Sequence, residues 1–92
     1  MIVYLEAEFV IPDAHSLKEK RAVLQRMISR TRQRFNVSVA EIDHQDVWQR
    51  TKIAVVTVAS SRSAADREID HVIEFLESNP TWELLELSRE YL

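Results

Sequence analysis

The chain has 92 residues, 46% of them hydrophobic, and a formal net charge of −3, which fits one folded domain spanning residues 1–92. It contains neither cysteine nor glycine. These absences exclude disulfides, thiolate metal sites and a thiol nucleophile, and they exclude the phosphate loop, the dinucleotide fingerprint, and the glycine-bearing KH and RRM signatures.

The first predicted element is a strand over residues 2–11, where apolar and polar side chains alternate. Pro12 and Asp13 end it. Acidic residues interrupt this apolar stretch, which is unlike a signal peptide, and no run of the sequence approaches the roughly 20 apolar residues of a membrane span. We therefore expect a cytoplasmic protein without a membrane partner.

Residues 16–35 predict an amphipathic helix that begins with a capping box formed by Ser16 and Glu19. Leu24, Met27 and Ile28 share its apolar face. The helix carries a single acid, while fourteen acidic and five basic residues lie elsewhere. Its own basic residues number seven: Lys18, Lys20, Arg21, Arg26, Arg30, Arg32 and Arg34.

Three explanations fit this concentration of positive charge. Cations near a helix C-terminus interact favourably with the helix dipole. They can also pair with acids of the second helix, which we expect for Arg21 or Arg32. The third explanation is a docking face for a polyanion, with Arg26 and Arg30 pointing away from the body of the protein.

Asn36 is predicted to stop the helix in the left-handed conformation, and residues 36–43 then read as a second strand. Residues 51–60 form a third, rich in β-branched residues and apolar on both faces, which indicates a central position. Ser63 with Asp66 predicts the cap of a second helix, which ends at Asn79-Pro80. Residues 82–92 form a fourth, edge strand.

The order β-α-β-β-α-β predicts an α+β, ferredoxin-like fold: a four-stranded antiparallel sheet with two helices on one face. The other sheet face would then expose apolar side chains such as Ala54, Val56 and Val58. Because contiguous apolar surface usually marks an interface, we predict a homodimer through the sheet face or a sheet edge.

The hairpin over residues 43–52 admits several interpretations. Asp43, His44 and Asp46 could ligate a metal, and His44 with Asp46 could act as a general base with its orienting carboxylate. Trp48 and Arg50 could stack on a base or hold a phosphate. Otherwise Trp48 anchors a core or an interface, and Asp43 or Asp46 pairs with Arg50. The hairpin lacks a third ligating segment and a nucleophile, so we expect no metal, cofactor or catalytic residue.

The segments HSLKEKR (15–21) and RFNVSVAEIDHQDVWQRTKIAVV (34–56), with the S-x-R-x-x-x helix that follows, resemble the small bacterial YlxP-like family of unknown function. The resemblance implies a ferredoxin-like fold and gives no catalytic residues. Its members are often encoded beside translation-initiation and ribosome-binding factors, which suggests a role linked to RNA or the ribosome. The signature positions are Ser16, Leu17, Lys18, Glu19, Lys20, Arg21, Asn36, Val37, Glu41, Asp46, Trp48, Gln49 and Arg50.

The sequence thus predicts a non-enzymatic binding module that docks on structured RNA or a ribosomal particle. The expected contact residues are Lys18, Lys20, Arg21, Arg26 and Arg30 on the helix, with Trp48, Gln49 and Arg50 as a second patch. One alternative is a protein–protein module that uses the open sheet face or the 43–52 hairpin, anchored by Trp48. A more distant alternative is an enzyme that uses His44 and Asp46.

Overall fold

A computed structural model describes all 92 residues and shows the predicted α+β, ferredoxin-like fold. Its four strands form one antiparallel sheet in the order β2-β3-β1-β4, so β3 is central and β4 is an edge strand, both as predicted. The elements are β1 Ile2–Val10, α1 Leu17–Arg34, β2 Ser38–Asp43, β3 Arg50–Val58, α2 Arg62–Glu77 and β4 Glu83–Tyr91.

The core lies between the helices and one face of the sheet. Alternation along β1 buries Val3, Leu5, Ala7 and Phe9 completely or nearly so. Trp82, just before β4, stacks on Phe9 with the ring centroids 4.0 Å apart. Its indole N–H also donates to a backbone carbonyl of α2 at 2.7 Å, so this large side chain is buried without leaving its polar atom unpaired. Neither helix combines the length and apolar character that crossing a bilayer requires.

The opposite, open face of the sheet has two chemically different halves. Ala40, Ala54 and Val56 give the β2–β3 half an apolar surface. The β1–β4 half is acidic, because the glutamates of β4 have no cationic partner, whereas Glu6 and Glu8 of β1 pair with Lys52 and Arg50. The unpaired glutamates of β4 are Glu83, Glu86 and Glu90.

Two helix-end predictions are wrong, although the Ser16 cap is confirmed by the 3.1 Å bond that Ser16 Oγ accepts from the backbone N–H of Glu19. The second helix is capped by Ser61, which has an extended backbone and accepts from the Ala64 N–H. Ser63 already lies inside the first turn. Asn36 is not left-handed; its carbonyl accepts from the Thr57 hydroxyl at 2.6 Å, which holds it in place by tertiary contact.

The β2–β3 hairpin contains the chain's one left-handed residue, His44, with φ of 62°. This backbone conformation is unfavourable for residues other than glycine, although histidine tolerates it better than most. The Asp43 carboxylate accepts the His44 backbone N–H at 2.7 Å. The Lys20 ammonium, from α1, donates a hydrogen bond to the His44 carbonyl. Hydrogen bonds to both the backbone N–H and the carbonyl of His44 therefore hold the turn in a chain that has no glycine.

Candidate functional site

The exposed surface of α1 is a row of cations without acidic partners. Six of its basic residues are exposed, and none lies within 4 Å of a carboxylate oxygen. We call these six residues the cationic face: Lys18, Arg21, Arg26, Arg30, Arg32 and Arg34. Its charge is thus not neutralised within the molecule.

The predicted pairing of Arg21 or Arg32 with the second helix is wrong. Arg32 donates to the backbone carbonyl of Val39 at 2.6 Å. Two α2 carboxylates, Asp66 and Asp70, pair instead with Arg89 of β4, at 2.9 and 2.7 Å. The Tyr91 hydroxyl donates to Asp66, and with the bond from Arg89 this lowers the pKa of that carboxyl.

Lys20 does not belong to the cationic face, which corrects its prediction as a binding residue. Its side chain is completely buried, and its ammonium lies 3.0 Å from the Glu41 carboxylate of β2. The same carboxylate accepts from the Thr51 hydroxyl at 2.6 Å. Lys20 also bonds to two backbone carbonyls of the hairpin. It therefore fastens the 43–52 hairpin to α1 and cannot reach an external ligand.

Gln49 and Arg50 are also held by contacts within the protein. The Gln49 side-chain amide donates to the carbonyls of Pro12 and Ala14, both at 3.2 Å. Arg50 bonds to Glu8 of β1, so the prediction that it pairs with Asp43 or Asp46 is wrong. The hydrogen bond from Arg50 lowers the pKa of Glu8. Arg50 therefore connects the hairpin to β1, and Gln49 connects it to the segment that follows β1.

Trp48 remains available on the hairpin, with 52% of its surface exposed. It is not a core anchor. His44 does not form the dyad with Asp46 on which the enzyme alternative depends: its nearest carboxylate is Glu8, 3.8 Å from its Nε2 atom. No three histidine, aspartate or glutamate side chains come together in a way that could hold a metal ion.

A groove runs between the two helices at the end of the cationic face. Arg34 and Phe35 at the end of α1, and His71, Glu74, Phe75 and Ser78 of α2 or its cap, line a volume of about 410 Å³. We call it the inter-helix groove. The sequence-based prediction does not include this groove; the available signal is Phe75, an aromatic residue of α2 outside the series that this helix buries, Ala65, Ile69, Val72 and Leu76.

Comparison with known proteins agrees with the motif-based resemblance. A family described as "Protein of unknown function (DUF503)" matches residues 2–89. The "Uncharacterized protein YlxP" of Bacillus subtilis (strain 168) is 49% identical over 80 residues, or 87% of each chain. Among solved structures, "De novo designed protein Foldit4" superposes with a TM-score of 0.60 over 100% of this chain and 99% of that one; at 10% identity this shows likeness of fold alone. The chain belongs to the DUF503 family, whose description gives its function as unknown.

Proposed function

We propose that the protein is a binding module that docks on structured RNA, free or within a ribosomal particle, through the cationic face. The observation that carries the proposal is the set of six exposed cations without acidic partners in a chain of net negative charge. A positive potential confined to one helix attracts a polyanion locally although the whole molecule is acidic.

The spacing of the arginines suits contacts with a phosphate backbone. Arg26, Arg30 and Arg34 follow one another at intervals of four residues, so they lie on adjacent turns, about 6 Å apart along the axis. Guanidinium groups bind phosphate oxygens in bidentate fashion. Such contacts supply affinity and orientation without sequence specificity. Lys18 and Arg21 extend the same surface to the first turn of the helix.

The contact set is smaller than the sequence predicted. It consists of Lys18, Arg21, Arg26 and Arg30, joined by Trp48 as an exposed aromatic residue on the hairpin. Lys20 is buried, and internal partners occupy Gln49 and Arg50. The hairpin thus contributes one side chain where three were expected.

The test measures binding of the purified protein to a fluorescent RNA hairpin and to ribosomal subunits across a salt series. Wild-type affinity should fall steeply as salt rises, with a log–log slope of about 0.7–0.9 for each phosphate contacted. Arg30→Glu should weaken binding, and Arg26→Glu/Arg30→Glu should abolish it at moderate salt. The matched control is Arg62→Glu, which changes the charge as Arg30→Glu does, but Arg62 lies over Tyr91 of β4, at the sheet edge opposite β2. Equal losses in Arg30→Glu and Arg62→Glu, or binding insensitive to salt, would refute docking through α1.

A second candidate function, self-association through the open sheet face, rests on a different observation. Tyr4, Ala40, Ala54 and Val56 line an almost entirely apolar depression of about 270 Å³ on that face. Apolar depressions of this kind are typical of interfaces. Sedimentation equilibrium should show a dimer that Val56→Glu converts to monomer. A wild-type monomer at micromolar concentration would refute this candidate and leave RNA docking unaffected.

A further inference from the structure

The inter-helix groove combines aromatic surface with positive charge. The guanidinium carbon of Arg34 lies 4.7 Å from the centroid of the Phe75 ring and 5.8 Å from that of Phe35. The two rings meet edge to face, 5.7 Å apart, and both are only half-buried. The partly exposed ring of Phe75 therefore forms an aromatic surface in the groove, and the exposed Arg34 guanidinium lies over it.

The groove is also continuous with the arginine row of the cationic face. Arg34 ends the series that begins with Arg26 and Arg30, so a backbone that follows these arginines arrives at the groove. On the far side, His71 is shared with a second depression of about 310 Å³ that Arg67 also lines. The groove thus has one arginine of its own, Arg34, and the neighbouring depression has a second, Arg67, beside Glu68.

We propose that the inter-helix groove binds an unpaired nucleotide of the RNA, with its base stacked against Phe75 and its phosphate on Arg34. The inference rests on the proposed function and adds a preference for RNA that contains unpaired residues. Every base offers a π-face to an aromatic side chain, and arginine adds a cation–π contribution. Bases inside a duplex are stacked on their neighbours and cannot enter the groove.

Glu74 on the rim fixes the orientation of the nucleotide. Its carboxylate repels a phosphate and accepts hydrogen bonds. The phosphate therefore lies on the Arg34 side of the groove, and the edge of the base faces Glu74. The groove is open to solvent and about 410 Å³ in volume, so its size sets no preference between purines and pyrimidines.

The competing explanation is that Arg34 and Phe75 form a surface contact that only helps the two helices pack. The experiment separates the two by comparing a fully paired RNA hairpin with the same stem carrying a bulge of three unpaired adenosines, one of them replaced by 2-aminopurine. Affinities are measured by anisotropy at one salt concentration. Wild type should bind the bulged RNA at least fivefold more tightly and quench the 2-aminopurine fluorescence, as base–aromatic stacking does.

Phe75→Leu keeps an apolar side chain at the helix interface and removes the ring. It should reduce the preference for bulged RNA to less than twofold while leaving the affinity for paired RNA unchanged. Arg34→Lys keeps the positive charge at an exposed position, so it tests the role of the groove even if Phe75→Leu does not fold. It should reduce both the quenching of 2-aminopurine and the preference for bulged RNA.

Three results would overturn the inference. One is equal wild-type affinity for the two RNAs with steep salt dependence, which leaves docking through α1 intact. Another is an equal loss of affinity for both RNAs in Phe75→Leu, which assigns the ring to packing. The third is binding of neither RNA by the wild type, which overturns the proposed function and this inference with it.

Discussion

Replacing Lys20 with methionine should destabilise the protein strongly, because Lys20 is one half of a buried ion pair. Methionine fills most of the volume of the lysine stem but supplies no charge and no donor. The Glu41 carboxylate, only 15% exposed, would keep its hydrogen bond from the Thr51 hydroxyl but lose the Lys20 ammonium as its cationic partner. Two hairpin carbonyls would lose their donor as well.

The expected loss is about 3 kcal/mol. Removing one partner of a buried pair costs roughly 3–5 kcal/mol, and the residual exposure of Glu41 favours the lower end of that range. A domain of this size has about 5–14 kcal/mol of stability in total. The melting temperature should therefore fall by about 12 °C or more, at 4–8 °C for each kcal/mol.

Urea unfolding followed by circular dichroism measures the change, with Lys18→Met as control. Lys18 lies on the same helix but is exposed, so its replacement should change the free energy of unfolding by less than about 0.5 kcal/mol. The double variant Lys20→Met/Glu41→Leu should be more stable than Lys20→Met alone, because it leaves no unpaired charge. A Lys20→Met loss no larger than that of the control, or strict additivity in the double variant, would refute the buried-pair assignment.

Three further predictions concern stability. The hydrogen bond from Arg50 holds the pKa of Glu8 below its usual 4.5, so the unfolded chain binds a proton at this carboxyl before the folded protein does as the pH falls. The stabilisation that Glu8 gives above pH 4.5 should therefore decline below that pH. Urea unfolding at a series of pH values should show a shallower decline in Arg50→Gln than in wild type. Ser61→Ala should lower the free energy of unfolding by about 1 kcal/mol while Ser63→Ala changes it by less than about 0.5 kcal/mol; equal effects would contradict the observed cap. Trp82→Phe should cost about 1–3 kcal/mol in thermal unfolding, since a buried backbone carbonyl loses its donor; an unchanged melting temperature would contradict that bond.

Local sequence signals determined the fold prediction because the core of this domain follows regular periods. Alternation in β1 places Val3, Leu5 and Ala7 on the buried side, and Leu24 and Ile28 recur at the period of a helix buried on one face. Both patterns depend only on neighbouring residues. Chain order and the rarity of left-handed crossovers then left few topologies to consider.

The site was harder to predict because its decisive partners are distant in sequence. A lysine is rarely buried completely, so the sequence alone places Lys20 at the surface; only the approach of Glu41, 21 positions later, stabilises it inside. The partner of Arg50 is Glu8, 42 positions earlier, rather than a carboxylate across the turn. Side chains that look like a binding motif here assemble a glycine-free hairpin.

The segregation of charge gives this thin molecule two unlike sides. The chain measures 42 × 21 × 17 Å, with the cationic face on the helix layer and a glutamate-rich half on the sheet layer beneath it. In the field of a polyanion the helix layer is attracted toward the polyanion and the sheet layer is repelled from it, so the molecule experiences a torque before contact. A molecule that docks on RNA as proposed would therefore arrive already oriented, with its open sheet face directed away from the RNA.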